Sequence, residues 1–303
     1  MTPMKDRSRL TTEKRNPVSR DIDRRSTLEI VDIINAEDAK VVPAVRKERQ
    51  RIAKAVDLVA DTFRGGGRLF YVGCGTSGRL GVLDASECPP TFGVAPGMVQ
   101  GIIAGGRRAL VRSSEGMEDH EHGGAAAIDK RKVKPRDTVV GIAACGMTPY
   151  VHGAVARARE IGASTVFITC SPQVKREVTA DVTICPVVGA EVVTGSTRMK
   201  AATATKLVLN TLTTAAMIRI GKVYGDLMVD LSAKSEKLRD RAERIIMAVT
   251  GVTRRRAAKL LTDAGDDAKT AVVMHMRKVS RDEARRLLKD CDDQLRDAID
   301  GDT

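Results

Sequence analysis

The sequence contains no tryptophan, and its three tyrosines and four phenylalanines make up only 2% of 303 residues. Single-stranded nucleic acids bind on stacked aromatic side chains, so this chain offers no platform for them. The net charge of +12 is also distributed along the chain: residues 1–20 contribute +4, with six basic and two acidic groups, residues 234–303 contribute +3, and the other +5 is spread over the residues between. We therefore predict no nucleic-acid partner.

Long apolar runs and paired cysteines are also missing. No apolar stretch of about 18 residues occurs, which argues against a transmembrane helix, and the polar N-terminus lacks the apolar centre of a signal peptide. The six cysteines include no CxxC pair, and four of them lie in or beside apolar runs, where a thiol acts as a small hydrophobic group. These absences predict a reduced, cytoplasmic protein with no membrane partner.

The N-terminal part is predicted to be a charged arm followed by helices. Residues 1–20 are charged and contain proline, which is typical of a poorly ordered segment. Ser26 followed by Glu29 matches a capping box at a helix start. Pro43 predicts a helix boundary, after which residues 44–63 have the spacing of one amphipathic helix.

Short β-rich apolar runs alternate with helical segments in the centre of the chain. The candidate strands are residues 68–72, 98–104, 138–144, 165–169 and 182–188. Strands that are joined by helical crossovers run parallel and are buried on both faces of the sheet. We therefore predict an α/β fold, with a doubly wound, parallel, five-stranded sheet.

Helices are predicted between these strands and beyond them. The helix after the first strand should stop at Pro89 and Pro90, and the clearest others cover residues 150–161 and about 197–220. The tail has one weak strand signal at 270–276 and helical candidates at 242–249, 253–264 and 282–299. The predicted division is an arm with helices (1–56), a sheet domain (57–233) and a small helical module (234–303).

Three junctions that lead into helices are rich in glycine and hydroxyl groups. They are GCGTSGR (73–79), CGMTP (145–149) and TGSTRMK (194–200). Such junctions lie at the carboxyl ends of parallel strands, where helix N-termini offer free amides to anions. They predict a phosphate site. Its candidate residues are Gly75, Thr76, Ser77, Gly78, Arg79, Cys145, Gly146, Thr148, Ser196, Thr197 and Lys200.

The first junction also spells G-x-G-x-x-G, the dinucleotide fingerprint. That interpretation requires an acidic residue at the end of the second strand, but GIIAGG (101–106) has none. The P-loop pattern GxxxxGK[ST] does not occur either. A tight turn without a ligand is the alternative for any single junction, but three junctions with hydroxyl groups favour a phosphate site.

Two acidic segments lie near these junctions. Glu87 stands beside the double proline, and Glu115 and Glu118 lie in SSEGMEDHEH after the second strand. Two carboxylates in different environments suit acid/base chemistry, although a surface glutamate is more often a solvated charge. The pair His120 and His122 has no cysteine partners, so we predict no metal site there.

The chain resembles the N-acetylmuramic acid 6-phosphate etherases over nearly its whole length. The matching stretches are TEKRNPVSRDID, STLEIVDIINAED, GGGRLFYVGCGTSGRLGVLDASECPPTFG, GIIAGG, EGMED, VVGIAACGMTPYV, VVGAEVVTGSTRMKAATATKLVLNTLTTAAMI and GKVYGDLMVDL. Members of the family contain a sugar isomerase (SIS) domain, a phosphosugar-binding α/β sandwich, which residues 57–233 resemble. Residues 234–303, with GVTRRRAAKLL and KTAVVM, are similar to the family's small, UBA-like helical module.

The resemblance implies a lyase that converts N-acetylmuramic acid 6-phosphate to N-acetylglucosamine 6-phosphate and D-lactate, in peptidoglycan recycling. It makes Glu87 the proton donor to lactate and Glu118 the base at C2, with Glu115 a non-catalytic neighbour. It implies a homodimer, and neither a metal nor another cofactor. Because a general acid must hold its proton at neutral pH, Glu87 is expected to be partly buried.

The second junction departs from the family pattern. The family usually has AASG followed by arginine, threonine and proline, whereas this chain has Cys145 and Met147 in place of the serine and the arginine. A thiol is a poorer donor than a hydroxyl, and a lost hydrogen bond to a charged group costs about 1.5–3 kcal/mol. A phosphosugar isomerase and a non-catalytic phosphosugar sensor are the alternatives, and the presence of Glu87 and Glu118 favours an enzyme.

Overall fold

The computed structural model describes residues 7–112, 116–175, 177–230, 233 and 235–301. The chain divides into two compact units. The first contains the chain up to Ser86 together with Gly97–Thr213, and the second contains Glu87–Pro96 together with the chain from Thr214 onward. This division differs from the predicted boundary at 233, because residues 214–230 belong to the helical unit.

A parallel sheet lies at the centre of the first unit, as the sequence predicted. Its strands, in the part of the chain that the structure describes, have the order β2-β1-β3-β4-β5. They are β1 Leu69–Gly73, β2 Val99–Ile103, β3 Thr138–Ile142, β4 Ser164–Ile168 and β5 Val182–Ile184. Strand β5 is shorter than predicted because the backbone N–H of Cys185 leaves the sheet and donates to Glu48 Oε2 at 3.1 Å.

Helices cover both faces of this sheet, which confirms the doubly wound α/β class. The side chains of Phe70 and Val72 point to one face, where they pack with residues of α5 and α6. Tyr71 points to the other face, towards α4 and α7. These helices are α4 Gly75–Phe92, α5 Glu121–Lys130, α6 Pro149–Ile161 and α7 Lys200–Arg219.

Three helices precede the sheet: among the described residues these are α1 Thr27–Asp38, α2 Val41–Lys47 and α3 Arg49–Arg64. The predicted capping box of Ser26 and Glu29 is confirmed at the start of α1. The prediction of a single helix over 44–63 is wrong, because the helix is interrupted at Glu48, between α2 and α3. The buried carboxylate of Glu48 accepts hydrogen bonds from Cys185 and Arg51, and this holds the bend.

For residues 7–20 the structure corrects the expectation of a poorly ordered N-terminal arm, and residues 1–6 lie outside the described residues. Residues 7–24 form a succession of short 3-10 turns that pack on the first unit. Asn16 Nδ2 donates to the Ala190 carbonyl at 3.0 Å, and Ser19 Oγ donates to the Val192 carbonyl at 2.7 Å. Composition alone predicted disorder here because these contacts are with residues more than 170 positions away.

Helix α4 also differs from its prediction, because it continues through Pro89 and Pro90 to Phe92. The fixed φ of proline fits helical backbone, and what proline lacks is the N–H donor. Both prolines lie close to the end of the helix, and the buried side chain of Phe92 anchors the last turn. The Gly93 N–H then donates to the Pro89 carbonyl at 3.0 Å.

The second unit is mainly helical. Its further helices are α8 Glu236–Thr250, α9 Arg254–Asp263, α10 Ala268–Arg277, α11 Arg281–Asp290 and α12 Leu295–Asp300. The weak strand signal at 270–276 is therefore wrong, and the helix predicted over 282–299 is split, because Asp292 and Asp293 adopt positive φ angles of 51° and 59°. A short antiparallel pair, β6 Val223–Tyr224 and β7 Leu227–Met228, was not predicted.

No helix within the described residues is long and apolar enough to cross a membrane.

Candidate active site

The first junction places the N-terminus of α4 at the carboxyl end of β1. Gly75 begins the helix with a φ of +52°, a conformation that favours glycine. A side chain at Gly78 would lie 2.6 Å from the side chain of Ile103 and 2.7 Å from the Gly73 carbonyl, so the helix approaches the sheet very closely there. Thr76 and Ser77, in the first turn of α4, are half-buried. The junction thus combines backbone amides with two hydroxyl groups.

Arg79 has a structural contact that its sequence position did not predict. Its Nε donates to the Leu110 carbonyl at 3.0 Å, in the turn that follows β2. The guanidinium group therefore connects the first turns of α4 to the segment after the second strand.

The second junction is a tight turn between β3 and α6. Gly146 has a φ of +79°, and a side chain there would lie 2.1 Å from the side chain of Val174. Thr148 is buried directly before α6, and Cys145 is half-buried. His152 Nε2 lies 2.7 Å from the Gly146 carbonyl and holds the turn. In the sequence this histidine was isolated from other candidate residues. Only its spacing of six residues from Gly146 indicated a contact with the turn.

Glu118 and the first two junctions come together at the end of β1. Burial raises the pKa of the Cys74 thiol to about 12, and the charges of Glu118 and Asp119 and the thiol of Cys145 add to that shift. The 3-10 turn Met117–Asp119 lies against α6, and Gly73 at the end of β1 pairs with Ile142 at the end of β3. The convergence that strand order predicts for the first two junctions is thus present in the first unit.

The third junction differs, because protein carboxylates already occupy its helix N-terminus. Glu191 is buried, and it accepts hydrogen bonds from the backbone N–H groups of Lys200 and Ala201 at 3.1 and 2.9 Å. The Lys200 ammonium is also buried and lies 2.5 Å from Glu37 Oε2. Helix α7 begins at Lys200 rather than near Thr197, where its start was predicted.

This ion pair argues against Lys200, a predicted phosphate ligand, as a residue that binds phosphate. Burial alone would raise the pKa of Glu37, but hydrogen bonds from Lys200, Lys40 and Asn16 outweigh burial and lower the pKa to about 2. The charge of Lys200 is therefore already neutralised within the protein. Ser196 and Thr197 are half-buried beside this pair and keep their hydroxyl groups as candidate ligands.

No group of three or more His, Cys, Asp or Glu side chains within the described ranges is placed to hold a metal ion.

Comparison with known proteins identifies the family. An etherase of N-acetylmuramic acid 6-phosphate from Salinibacter ruber is 55% identical over 294 residues, which cover 97% of this chain and 94% of that protein. One from Nostoc punctiforme is 52% identical over 275 residues, which cover 91% of this chain and 89% of that protein. This chain belongs to the N-acetylmuramic acid 6-phosphate etherase family.

Two further similarities concern the sheet unit of this family member. The profile of the glucokinase regulatory protein N-terminal SIS domain matches residues 51–159. A solved phosphoheptose isomerase from Neisseria gonorrhoeae is 16% identical, with a TM-score of 0.49 over 63% of this chain and 98% of that chain.

The two acidic residues that family resemblance implicates are both exposed. Glu118 lies in a 3-10 turn, Met117–Asp119, of the first unit. Glu87 lies in α4, in the segment that belongs to the second unit. The expectation that Glu87 is partly buried is wrong for the single chain, because its neighbours Ala85 and Cys88 occupy the buried side of the helix. Glu115 lies outside the described residues.

The sequence also gave no indication of a buried carboxylate in α4. Asp84 accepts hydrogen bonds from Tyr71 at 2.9 Å, Asn210 at 2.7 Å and Thr213 at 3.2 Å. Burial raises its pKa, against the effect of these donors. Asp84 therefore fixes α4 to β1 and α7 behind the first junction of this etherase-family chain.

Proposed function

We propose that this chain cleaves the D-lactyl ether of N-acetylmuramic acid 6-phosphate and releases N-acetylglucosamine 6-phosphate and D-lactate. The observation that carries the proposal is 55% identity to an etherase over 97% of the chain, with Glu87 and Glu118 both present. The position of the Glu118 turn against α6, which begins at the second junction, supports it, because the chemistry needs a base close to the bound sugar.

The phosphate group would bind at the first and second junctions. The α4 N-terminus offers the amides of Gly75, Thr76 and Ser77 and the hydroxyls of Thr76 and Ser77, and helix dipoles favour anions at such ends. Gly146, Thr148 and the weaker donor Cys145 would complete this set from the second junction. Ser196 and Thr197 would contact the sugar from the third junction.

The reaction would proceed by elimination and then hydration. In the open-chain sugar the C2 proton lies next to an aldehyde, which makes it acidic enough for a carboxylate base. Glu118 would remove this proton, the C3–O bond would break as Glu87 protonates the departing lactate oxygen, and a C2=C3 double bond would form. Water would then add its oxygen at C3 and a proton at C2, so that no redox change occurs overall.

Because Glu87 is exposed in the single chain, it would have to be shielded from water when the substrate binds. A carboxylic acid retains its proton more readily when water is excluded. The bound substrate, or a second copy of the chain, would have to desolvate Glu87. We also propose that the protein is a cytoplasmic homodimer that acts in peptidoglycan recycling, which the resemblance implies.

The deciding experiment is incubation of the purified chain with N-acetylmuramic acid 6-phosphate and measurement of D-lactate. Glu118→Gln and Glu87→Gln should each lower turnover at least about 10²-fold, which is the usual contribution of a general acid or base. Asp119→Asn is the matched control, because Asp119 is the exposed neighbour of Glu118, and it should retain turnover. Folded protein that releases no lactate would contradict the proposal.

A second measurement separates this route from the alternatives. In ¹⁸O-labelled water, elimination and hydration should place the label at C3 of the product sugar, whereas cleavage on the lactyl side of the ether should place it in lactate. Interconversion of phosphosugars without lactate would indicate an isomerase. Binding of phosphosugars without any turnover would indicate a sensor.

A further inference from the structure

The N-terminal arm, residues 7–24, is fastened to the loops around the third junction. Thr12 is completely buried, with its hydroxyl 3.4 Å from the hydroxyl of Ser171. Asn16 is buried and donates both to Glu37 Oε2 at 2.9 Å and to the Ala190 carbonyl at 3.0 Å. Since Glu37 in turn neutralises Lys200, the arm belongs to the same buried network as the start of α7.

Glu13 lies between these two anchors and reaches the glycine of the third junction. Its Oε2 atom is 3.1 Å from the position that a Cβ atom at Gly195 would take, and its Oε1 atom accepts a hydrogen bond from the Thr12 hydroxyl at 3.3 Å. Gly195 has a φ of +74°. A side chain at this position would be disfavoured by that backbone conformation and also by the close approach of the Glu13 carboxylate. Glu13 itself is half-buried, and its side chain is open to solvent on one side.

The charges around Gly195 indicate which part of a ligand would meet Glu13. Glu191 occupies the amides at the start of α7, and Glu37 neutralises Lys200. A phosphate at this junction would face the carboxylates of Glu13 and Glu191, against one exposed arginine, Arg198, because Lys200 is paired with Glu37. Neutral hydroxyl or amide groups, which donate hydrogen bonds, fit the same position well.

We propose that Glu13 is a specificity-determining residue that accepts hydrogen bonds from the hydroxyl or amide groups of the sugar, while the phosphate binds at the first two junctions. This inference rests on the proposed function, and it adds a contact from the arm to that site. It assigns Glu13 to sugar recognition and Asn16, which is buried and bonded to Glu37 and Ala190, to positioning.

The test compares Glu13→Ala and Glu13→Gln with Lys14→Gln, an exposed neighbour in the same arm. Two sets of constants are measured: KM and kcat for N-acetylmuramic acid 6-phosphate, and separately the inhibition constant of inorganic phosphate. Glu13→Ala should raise KM about 10- to 100-fold, the loss of one charge-assisted hydrogen bond, with kcat nearly unchanged. Glu13→Gln should have a smaller effect, and inhibition by phosphate should stay constant in both variants.

Several outcomes would overturn the proposal. An unchanged KM in Glu13→Ala would mean that Glu13 does not touch the sugar. An equal loss of phosphosugar and phosphate binding would mean that Glu13 only supports the fold, which is the pattern expected for Asn16→Ala. If the unaltered chain releases no lactate, the proposed function fails, but calorimetry with N-acetylglucosamine 6-phosphate and with phosphate still tests Glu13.

Discussion

The first and third junctions have similar sequences but different electrostatic structures. Both contain glycine, serine, threonine and a basic residue, and both lead into a helix. At the start of α7, Glu191 accepts hydrogen bonds from two backbone amides. At the start of α4, no carboxylate of the described residues accepts a hydrogen bond from the amides of Gly75, Thr76 and Ser77. An open helix end can bind an external anion, whereas an end that holds its own carboxylate contributes to stability.

The basic residues of the two junctions are also used differently. Arg79 donates to a backbone carbonyl from Nε and is only half-buried. Lys200 is buried and forms an ion pair with Glu37. Composition therefore does not distinguish a ligand site from a structural site. What distinguishes them is a carboxylate that approaches from elsewhere in the chain.

The largest effect should come from removing the partner of Lys200. Glu37→Ala leaves a buried ammonium group unpaired, which typically costs about 3–5 kcal/mol. We expect a loss of this size in the free energy of unfolding, measured by urea denaturation. Asp32→Ala, an exposed site on the same helix, is the control and should change stability by less than about 0.5 kcal/mol. A loss in Glu37→Ala as small as in the control would mean that the ion pair does not stabilise the third junction.

Acid should weaken the same ion pair in a defined range. The pKa of Glu37 is lowered from its ordinary value of 4.5 to about 2. A lowered pKa means that the charged carboxylate stabilises the folded protein above the ordinary value, and that this stability is lost as the pH falls from 4.5 towards 2. Stability measured over this range should fall more steeply in the unaltered protein than in Glu37→Gln. Parallel curves for the two proteins would contradict the assignment.

A smaller effect is expected when the Glu191 carboxylate is removed from the start of α7. Glu191→Ala removes a charged acceptor from two buried amides, at an expected cost of about 2–3 kcal/mol. Glu191→Gln keeps one acceptor oxygen and should lose less. The alanine variant would have a helix end like that of α4, so added phosphate should raise its melting temperature more than that of the unaltered protein. No additional effect of phosphate would indicate that the two ends differ in more than this carboxylate.

The sequence predicted those features that depend on local patterns. Each of the five β-rich runs in the centre of the chain forms a strand, because apolar, β-branched residues follow one another there. The parallel order follows from the helical crossovers. Ser26 and Glu29 are only three residues apart, so their capping box was also readable. The first junction was predictable because its glycines, hydroxyls and helix are contiguous in the chain.

Contacts between distant residues explain what the sequence did not predict. Glu37 is 163 positions from Lys200, and Asn16 is 174 positions from Ala190, and no local pattern reports such pairs. The ion pair of Lys200 was not predicted, because its partner belongs to α1. The role of the arm was missed for the same reason, since its polar composition is satisfied by buried hydrogen bonds instead of by water.

The smallest expected effect concerns the second junction, where this chain differs from the family pattern. The Cys145 thiol is half-buried in the turn that contains Gly146, next to the proposed phosphate position. A serine hydroxyl donates a stronger hydrogen bond than a thiol, so Cys145→Ser should strengthen binding by about 1 kcal/mol, which is a five- to tenfold decrease in the inhibition constant of inorganic phosphate. Cys291→Ser, at a half-buried cysteine of the helical unit, is the control and should leave that constant unchanged. Ser77→Ala at the first junction should weaken phosphate binding by a similar factor. If Cys145→Ser has no effect while Ser77→Ala does, the phosphate contacts only the first junction, and the second junction contributes a rigid turn instead of a ligand.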